Sequence, residues 1–365
     1  MKPPAKTSGT ARKTRKPINL GLQGGGAHGA FTWGVLDRLL EDDRLDIVSI
    51  SGTSAGAMNA VIAVSGFMEN GPAGARERLA GFWKAVSAQG DIFGFRRSPV
   101  AAMMNQWSLN YTPAYLAFDM FTQFAGPKDF NPLNINPLRL LVDRTVDFEA
   151  IHRCSEIDLY IAATNVESGQ VRIFSNAEIS LDATMASSCL PTLFHPVKID
   201  GASYWDGGYM GNPPLSPLVE KGRSSDIVIV QVNPTVRPGV PRAARDIMNR
   251  MNELSGNSAL MHELRTLDLV ARLMESGKLS EDDYPRMFIH RVNVCEDTSK
   301  LDASSKMNTE WDFLIFLRDL GRGCAESWLA ENFDALGERS SLDLRAMFGD
   351  TLARSLPANG KENPV

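Results

Sequence analysis

Hydrophobic residues in the first 64 positions follow two different periods. Short, nearly continuous apolar runs at 17–22 (PINLGL) and 45–51 (LDIVSIS) predict buried strands. Helical spacing at 30–40 and a small-residue stretch at 55–64 predict a helix after each strand. Later apolar runs predict four further strands, with helical segments between them, at 158–163, 170–174, 226–232 and 287–293. This alternation predicts an α/β protein with a mostly parallel central sheet.

Two long helical stretches close the chain, at 243–276 and 307–332. The second carries its apolar residues on one face, which indicates core packing, and these are Phe313, Phe316, Leu317, Leu320, Cys324 and Trp328. We therefore expect a helical layer from this part of the chain, without chemistry of its own.

Residues 92–130 interrupt the alternation. The segment holds nine of the chain's 29 aromatic residues and three methionines, without a clean period. We interpret it as a cap or lid over the sheet. A buried cap core and a surface that contacts an apolar ligand both fit, since flexible apolar side chains suit either use.

The composition is that of an ordinary globular protein, with 43% apolar and 22% charged residues in 365. No apolar run reaches the roughly 18 residues of a membrane-spanning helix, and no apolar segment follows the N-terminal charges as in a secretory signal. We therefore expect a cytoplasmic protein without a transmembrane segment. The four cysteines, none in a C-x-x-C pair, predict reduced, buried thiols and no metal site.

Both ends of the chain are predicted to be disordered. Residues 1–16 carry six positive charges, no acid and no apolar periodicity, so a net charge of −5 for the whole chain leaves −11 on the remainder. A solubilising role for this tail is favoured over contact with anionic lipid. Proline, glycine and charge predict a second loose end at 356–365.

Gly24, Gly26 and Gly29 match the G-x-G-x-x-G fingerprint of dinucleotide-binding proteins, after a strand and before a helix. That fingerprint also requires an acidic residue at the end of the second strand, to bind a ribose hydroxyl. The second strand ends here in Ile50 and Ser51, with no carboxylate following. A dinucleotide-binding enzyme is therefore the least favoured interpretation.

The sequence GTSAG follows the second predicted strand and begins the second predicted helix. A nucleophilic serine at such a sharp turn needs small residues two positions before and after it, and Gly52 and Gly56 meet that need. The N-terminus of the helix at Ala55 then points its free N–H groups toward the serine. We therefore predict that Ser54 is a nucleophile.

With Ser54 as the nucleophile, the glycine triplet acquires a different role. Acyl transfer builds negative charge on the former carbonyl oxygen, and fixed backbone N–H donors stabilise it by a few kcal/mol each. A loop without side chains at Gly24, Gly25 and Gly26 can bring its amides close to the reacting carbon. The triplet is therefore predicted to be an oxyanion hole.

The general base has several candidates. His262 and His290 would complete a Ser-Asp-His triad, but one lies in a predicted helix and the other in a predicted strand, where a lone histidine is more often structural. Asp206 ends an extended run and is followed by Gly207 and Gly208. A hairpin turn explains an Asp-Gly pair equally well, but a carboxylate in a dry pocket could accept the serine proton directly.

Three blocks in this order resemble the patatin-like phospholipase family: GGGAHG at 24–29, GTSAG at 52–56 and DGG at 206–208. Residues 183–208 are also similar to the family's approach to its aspartate. The resemblance implies a three-layer α/β/α sandwich. It also implies a Ser54–Asp206 dyad that hydrolyses fatty acyl esters of phospholipids, galactolipids or neutral lipids, with no metal and no organic cofactor.

One position departs from the family pattern. The family usually has arginine or lysine after the triplet, in G-G-G-x-R-G, and here that position is His28. A histidine can be neutral near pH 7, so it does not guarantee the fixed cation that an arginine would supply. A histidine facing solvent at the start of the helix is the alternative expectation.

The resemblance also sets the expected organisation of the chain. A catalytic domain is expected over 17–235, with the cap at 92–130 near the acyl chain or a lipid surface. A helical C-terminal extension over 236–355 resembles that of some bacterial patatin-like proteins and is expected to pack on this domain or to form a homo-oligomer. We expect a lipid partner, with peripheral contact to a membrane, and no nucleic acid.

Two alternatives to the Ser-Asp hydrolase stay open at this stage. One is a carboxylesterase with a Ser-Asp-His triad, and the other is a non-catalytic lipid-binding protein that has kept the fold. Retention of Ser54, Asp206 and the whole glycine triplet weighs against the second, because binding has no physical need for all of them.

Overall fold

The computed structural model describes residues 15–93, 96–98, 107–110, 112–122, 124–237, 239–280, 284–294 and 301–349, together with 101, 103 and 282. Of the two predicted tails, only Arg15 and Lys16 fall within these residues. Several positions of the predicted cap at 92–130 lie outside them as well.

The described strands form one eight-stranded sheet in the order β5-β6-β3-β2-β1-β7-β8, with β4 also paired to β3. The strands are β1 (Lys16–Leu22), β2 (Leu45–Thr53), β3 (Asp158–Asn165), β4 (Val171–Ser175), β5 (Val197–Ile199), β6 (Ala202–Asp206), β7 (Asp226–Gln231) and β8 (Phe288–Asn293). β1, β2, β3, β7 and β8 are parallel, whereas β4, β5 and β6 make antiparallel pairs. The prediction of an α/β protein with a mostly parallel sheet is confirmed.

The described helices lie on both faces of the sheet. They are α1 (Gly29–Glu41), α2 (Ala55–Phe93), α3 (Pro113–Thr122), α4 (Pro127–Phe130), α5 (Pro137–Thr145), α6 (Phe148–Arg153), α7 (Leu181–Ser187), α8 (Ser216–Lys221), α9 (Ala244–Glu275), α10 (Trp311–Asn332) and α11 (Leu344–Phe348).

Strand β7 shows how the layers are built, because all of its residues are buried. Val228 and Val230 join the core formed with α1, α2 and α10. Ile227 and Ile229 point the other way, into a second core with α8 and α9. Alternation of side chains along a strand buried on both faces produces the three-layer α/β/α arrangement.

The C-terminal part of the chain is built into the same body. α10 packs on α1 with backbone in contact: a Cβ at Gly34 would lie 1.9 Å from the carbonyl oxygen of Arg318, and one at Gly321 would lie 2.1 Å from that of Phe31. Most of the apolar stripe predicted on α10 is buried in the main core. The strand predicted at 287–293 is confirmed as β8, which pairs with β7 along one edge of the sheet, so the extension expected to be helical also supplies a strand.

Three local features differ from the sequence-based expectations. α2 continues far past residue 64, with a bend at Asn70 and Gly71. The hairpin β5–β6 was not predicted, and it turns at Asp200 and Gly201, which both have positive φ. Cys154 and Cys189 are buried free thiols as expected, but Cys324 is in a disulfide, so the prediction of reduced thiols is wrong there.

The described part of the predicted cap is partly core and partly exposed. Trp107 is buried and its ring lies 5.0 Å from that of Phe313 and 5.4 Å from that of Phe316 in α10. Phe121 and Phe124, by contrast, are 48% and 88% exposed. Trp107 therefore fits the interpretation of a buried core, and contact of the exposed part with an apolar ligand stays a prediction.

Candidate active site

Ser54 lies at the turn between β2 and α2 in a left-handed conformation, with φ of 55°. Such a conformation is unfavourable for a residue with a side chain and is typical of a nucleophilic serine on a tight strand-to-helix turn. A Cβ at Gly56 would lie 2.1 Å from the carbonyl oxygen of Leu22, and one at Gly52 would lie 2.8 Å from the backbone of Gly56. These glycines let the start of α2 approach the strand ends.

The edge of β3 brings Asp206 beside Ser54. β4 pairs along one edge of β3. Along the other edge, β2 pairs with residues 158–162 of β3, and β6 pairs with the next residues, 163–165. β2 ends at Thr53, opposite Ala162, and β6 ends at Asp206, opposite Ala163. The two strand ends therefore meet at consecutive residues of β3, although they are about 150 positions apart in sequence.

The Asp206 carboxylate is buried, with 4% of the residue exposed. Its Oδ1 accepts a hydrogen bond of 2.7 Å from the N–H of Gly208, and the Ser54 side chain lies within reach of a hydrogen bond to the carboxylate. Burial raises the pKa of Asp206 to about 6, against the opposing effect of these hydrogen bonds and of the Lys306 charge. The carboxylate is thus ionised at neutral pH and more basic than an ordinary aspartate.

Gly207 and Gly208 have separate reasons for lacking side chains. A Cβ at Gly207 would lie 2.3 Å from the carbonyl oxygen of Ala162, so this glycine lets the chain turn closely over the end of β3. A Cβ at Gly208 would lie 2.9 Å from Oδ1 of Asp206. The Asp-Gly pair at 206–207 is followed by a short 3₁₀ turn, Gly207–Tyr209, and the hairpin alternative for it is wrong.

The glycine triplet runs close beside the serine. A Cβ at Gly24 would lie 2.7 Å from the Cβ of Ser54, and one at Gly25 would lie 2.7 Å from Cγ2 of Val232. Gly26 has φ of 59°, and a Cβ there would lie 2.6 Å from the carbonyl oxygen of Lys306. Only a loop without side chains can occupy this space.

The hydrogen bonds of the triplet distinguish its three amides. The N–H of Gly24 donates to Oδ1 of Asn212 at 2.7 Å, and its carbonyl oxygen accepts from Nδ2 of Asn233 at 3.0 Å. Within the described residues, no hydrogen bond occupies the N–H groups of Gly25 and Gly26. Gly24 therefore holds the loop in place, and two amides stay available to a ligand.

His28 is buried, with 4% exposed, so the expectation of a solvent-facing side chain is wrong. Its Nε2 lies 2.8 Å from Oγ of Ser305, and its ring meets that of Phe313 edge-on. Burial, together with the charges of Lys306 and Arg237, lowers the pKa of His28 to about 3. The imidazole is neutral at physiological pH and supplies no fixed cation.

Neither histidine considered for a triad is bonded to Ser54. His290 lies in β8, where Nε2 is 2.9 Å from Oδ1 of Asp226 and Nδ1 is 2.9 Å from Oγ of Ser341. β8 is three strands away from β2, which corresponds to roughly 14 Å. His262 is exposed on α9. The described residues therefore give the Ser-Asp-His hypothesis no support.

Several residues that hold the site were not singled out in the sequence. Ser187, at the end of α7, accepts the backbone N–H of Ser54 at 3.0 Å. Asn212 and Asn233 bind the triplet, and Lys306 donates to Oδ1 of Asn233 at 2.7 Å. Asn212 follows the DGG block closely and could have been noticed there, but no local signal connects Lys306 with residues about 280 positions earlier.

A second carboxylate with a raised pKa lies elsewhere. Burial raises the pKa of Glu263 to about 7. Its Oε2 accepts the N–H groups of Leu215 and Ser216, at 2.6 and 2.9 Å. Glu263 thus binds the free amides at the start of α8, which is a structural role.

The chain resembles known proteins in sequence and in structure. Residues 20–219, more than half of the 365, match the family model for patatin-like phospholipase. VipD from Legionella pneumophila is similar at 15% identity and a TM-score of 0.37, over 86% of this chain and 72% of VipD. The heterodimeric complex ExoU–SpcU from the type III secretion system of Pseudomonas aeruginosa is similar at 18% identity and a TM-score of 0.39. That match covers 88% of this chain and 53% of the other, so the present chain spans about half of its length. On the match to the family model, the protein belongs to the patatin-like phospholipase family.

Proposed function

We propose that the protein is a serine lipid acyl hydrolase that cleaves fatty acyl esters with Ser54 as nucleophile and Asp206 as general base. The observation that carries the proposal is the meeting of two strand ends at Ala162 and Ala163 of β3, which brings the Ser54 hydroxyl beside the buried carboxylate of Asp206. Membership of the patatin-like phospholipase family supports a lipid acyl hydrolase in general.

The first half-reaction forms an acyl-enzyme. Ser54 Oγ attacks the ester carbonyl carbon, its proton passes to Asp206, and the carbonyl π electrons move to the oxygen. The tetrahedral intermediate then collapses, the bond to the leaving alcohol breaks, and Asp206 returns the proton to that alcohol. Water repeats the sequence on the acyl group, with Asp206 accepting a proton from water and giving it back to Ser54.

The negative oxygen of the intermediate needs donors that are fixed before reaction. The free N–H groups of Gly25 and Gly26 are in the position to supply them, and each donor of this type is worth about 3–4 kcal/mol of barrier. Gly24 was predicted to donate in the oxyanion hole as well, but its N–H is already bonded to Asn212. Its role is therefore to hold the loop in position.

Exposed apolar side chains in the described part of the cap and just after it support a lipid substrate. Met120, Phe124, Leu133 and Ile135 are exposed by 64%, 88%, 79% and 62%. Apolar residues in such number favour contact with acyl chains or with a lipid surface. In the part of the chain that the structure describes, no helix has the length and apolarity to cross a membrane. From the exposed apolar side chains, we infer that the enzyme works on lipid at the surface of a membrane.

Covalent labelling tests the proposal. A fluorophosphonate probe should label the wild-type protein at Ser54, as mapped by mass spectrometry of the labelled peptide, because the probe requires an activated serine. Ser54→Ala should remove the label completely, whereas Ser276→Ala, at an exposed position after α9, should keep it. A label on any other residue of the wild type would overturn the assignment of the nucleophile.

The pH dependence of the reaction should report the raised pKa of Asp206. Only the ionised carboxylate can accept the proton of Ser54, so kcat/KM for an uncharged ester should fall about tenfold per pH unit below about pH 6. With an ordinary aspartate as the base, whose pKa is about 3.9, kcat/KM would not change with pH until about pH 5. A rate that stays level at about pH 4.5, with the fold intact by circular dichroism, would contradict the role of Asp206 as a base of raised pKa.

A further inference from the structure

A short 3₁₀ turn outside the family match, Ser304–Met307, packs directly on the glycine triplet. Ser305 Oγ lies 2.8 Å from Nε2 of His28. The carbonyl oxygen of Lys306 leaves no room for a side chain on Gly26. A segment from the C-terminal part of the chain therefore forms one wall of the proposed oxyanion hole.

A chain of hydrogen bonds connects the ammonium group of this turn to the hole. Lys306 Nζ donates to Oδ1 of Asn233 at 2.7 Å, and Nδ2 of Asn233 donates to the carbonyl oxygen of Gly24 at 3.0 Å. That carbonyl belongs to the same peptide unit as the N–H of Gly25. Hydrogen bonds in series polarise one another, so donation to the C=O makes the N–H at the other end a stronger donor.

The backbone around Asn233 is also fixed. Gln23 Oε1 accepts the N–H groups of Val232 and Asn233, at 3.0 and 2.8 Å. Asn233 is buried, with 3% exposed. An amide held at its backbone and at both side-chain atoms cannot turn away, so the orientation of the Gly24–Gly25 peptide depends on the partner of Asn233 Oδ1.

The charge of Lys306 also acts on the proposed base. It favours the ionised form of Asp206, whose other ionisable neighbours are Tyr209 and Cys189. Lys306 itself is faced by the carboxylate of Glu253, which is paired with Arg237 at 2.7 Å. Burial and the charge of Arg237 lower the pKa of Lys306, whereas the carboxylates of Glu253 and Asp206 oppose that effect. Because His28 is neutral at physiological pH, the positive charge near this wall comes from Lys306 and Arg237.

We propose that Lys306 is a positioning residue for acyl transfer, which orients and polarises the Gly25 amide through Asn233 and contributes its positive charge to the site. The inference rests on the proposed function, and it gives the C-terminal extension a part in the chemistry. Lys306 acts in every turnover, whatever the head group of the substrate.

Substitution of Lys306 tests the inference with two substrates, an uncharged short-chain ester and an anionic phospholipid in vesicles. Lys306→Met should lower kcat by about tenfold to a hundredfold on both, less than the loss of a whole oxyanion donor, with KM for the ester unchanged. The fall of kcat/KM on the acid side of the pH profile, here called the acid limb, should move to higher pH in Lys306→Met, because loss of the positive charge raises the pKa of Asp206. Lys306→Arg should restore the acid limb and part of kcat, and Lys278→Met, at an exposed position, should match the wild type.

Three results would overturn the inference. The first is an unchanged kcat in Lys306→Met. The second is an effect confined to a higher KM for the anionic phospholipid, which would make Lys306 a head-group contact. The third is an acid limb at the same pH as in the wild type. If Lys306→Met does not fold, Asn233→Leu provides the second test: it breaks the hydrogen-bond chain but keeps the ammonium group, so kcat should fall with the acid limb unmoved. Labelling of wild-type Ser54 by fluorophosphonate is independent of all these outcomes, so a failure here is distinguishable from a failure of the proposed function.

Discussion

Ser54→Ala is expected to lower the rate of fatty acyl ester hydrolysis by roughly 10⁴-fold or more. The reason is that alanine removes the only atom at this turn that can attack the carbonyl carbon, while the N–H groups of Gly25 and Gly26 can still bind its oxygen. The rate should be measured as fatty acid released from phospholipid vesicles and from an uncharged ester, at enzyme concentrations high enough to detect the residual activity.

A correctly folded variant is the condition for this test. Alanine is small enough for the close approach of Gly24 to Ser54, although φ of 55° costs it about as much strain as serine. The melting temperature should therefore stay near that of the wild type, with Ser276→Ala as a matched control. Retention of a tenth of the wild-type rate by a folded Ser54→Ala protein would exclude Ser54 as the nucleophile.

Asp206→Asn is expected to lower kcat by about 10²- to 10⁴-fold. Asparagine has the shape of aspartate, and its Oδ1 can still accept the N–H of Gly208, so the turn after β6 should persist. Its amide cannot accept a proton, however, and Ser54 would have to attack as a neutral hydroxyl. Single-turnover kinetics on an activated ester should show that acylation, rather than substrate binding, is the step that slows.

The chain contains a matched control for this change. Asp200 is an exposed aspartate with positive φ in the β5–β6 turn, and asparagine tolerates that conformation well. Asp200→Asn should therefore keep both stability and rate. Equal losses in the two variants would point to a general effect of lost charge on the fold, and the role of Asp206 as the base would be abandoned.

The alternation of strands and helices was readable from the sequence because it depends on local burial. β7 is buried on both faces and appears as a continuous apolar run, and β1 and β2 are similar. The short hairpin β5–β6 was missed because its strands have only three and five residues, without a continuous apolar run. Its pairing partner, β3, lies about 40 residues earlier.

The two Asp-Gly pairs show where local rules fail. Asp200-Gly201 and Asp206-Gly207 are equal as dipeptides, and only the first makes a hairpin turn. The second is set by tertiary contacts: Asp206 N–H donates to the carbonyl oxygen of Cys189, and its own carbonyl oxygen accepts from Thr164 Oγ1, both at 2.8 Å. A sequence window of a few residues contains none of this information.

The glycine-rich loop was interpretable for a physical reason. The absence of a carboxylate at the end of β2 argued against a ribose site, and the presence of Ser54 there gave the free amides another use. The sequence could not separate Gly24 from Gly25 and Gly26, because the difference depends on Asn212, nearly 190 residues away. It could not foresee Lys306 for the same reason.

The most direct test of the central claim, that Ser54 and Asp206 act as one unit, is a comparison of three variants. The residual rate of ester hydrolysis should be measured for Ser54→Ala, Asp206→Asn and the double variant. If the carboxylate acts only through the serine, the double variant should be no slower than Ser54→Ala. Without Ser54 there is no serine proton for Asp206 to accept, so its replacement cannot lower the rate further. Losses that multiply in the double variant would mean that the two residues work independently, and would contradict the dyad.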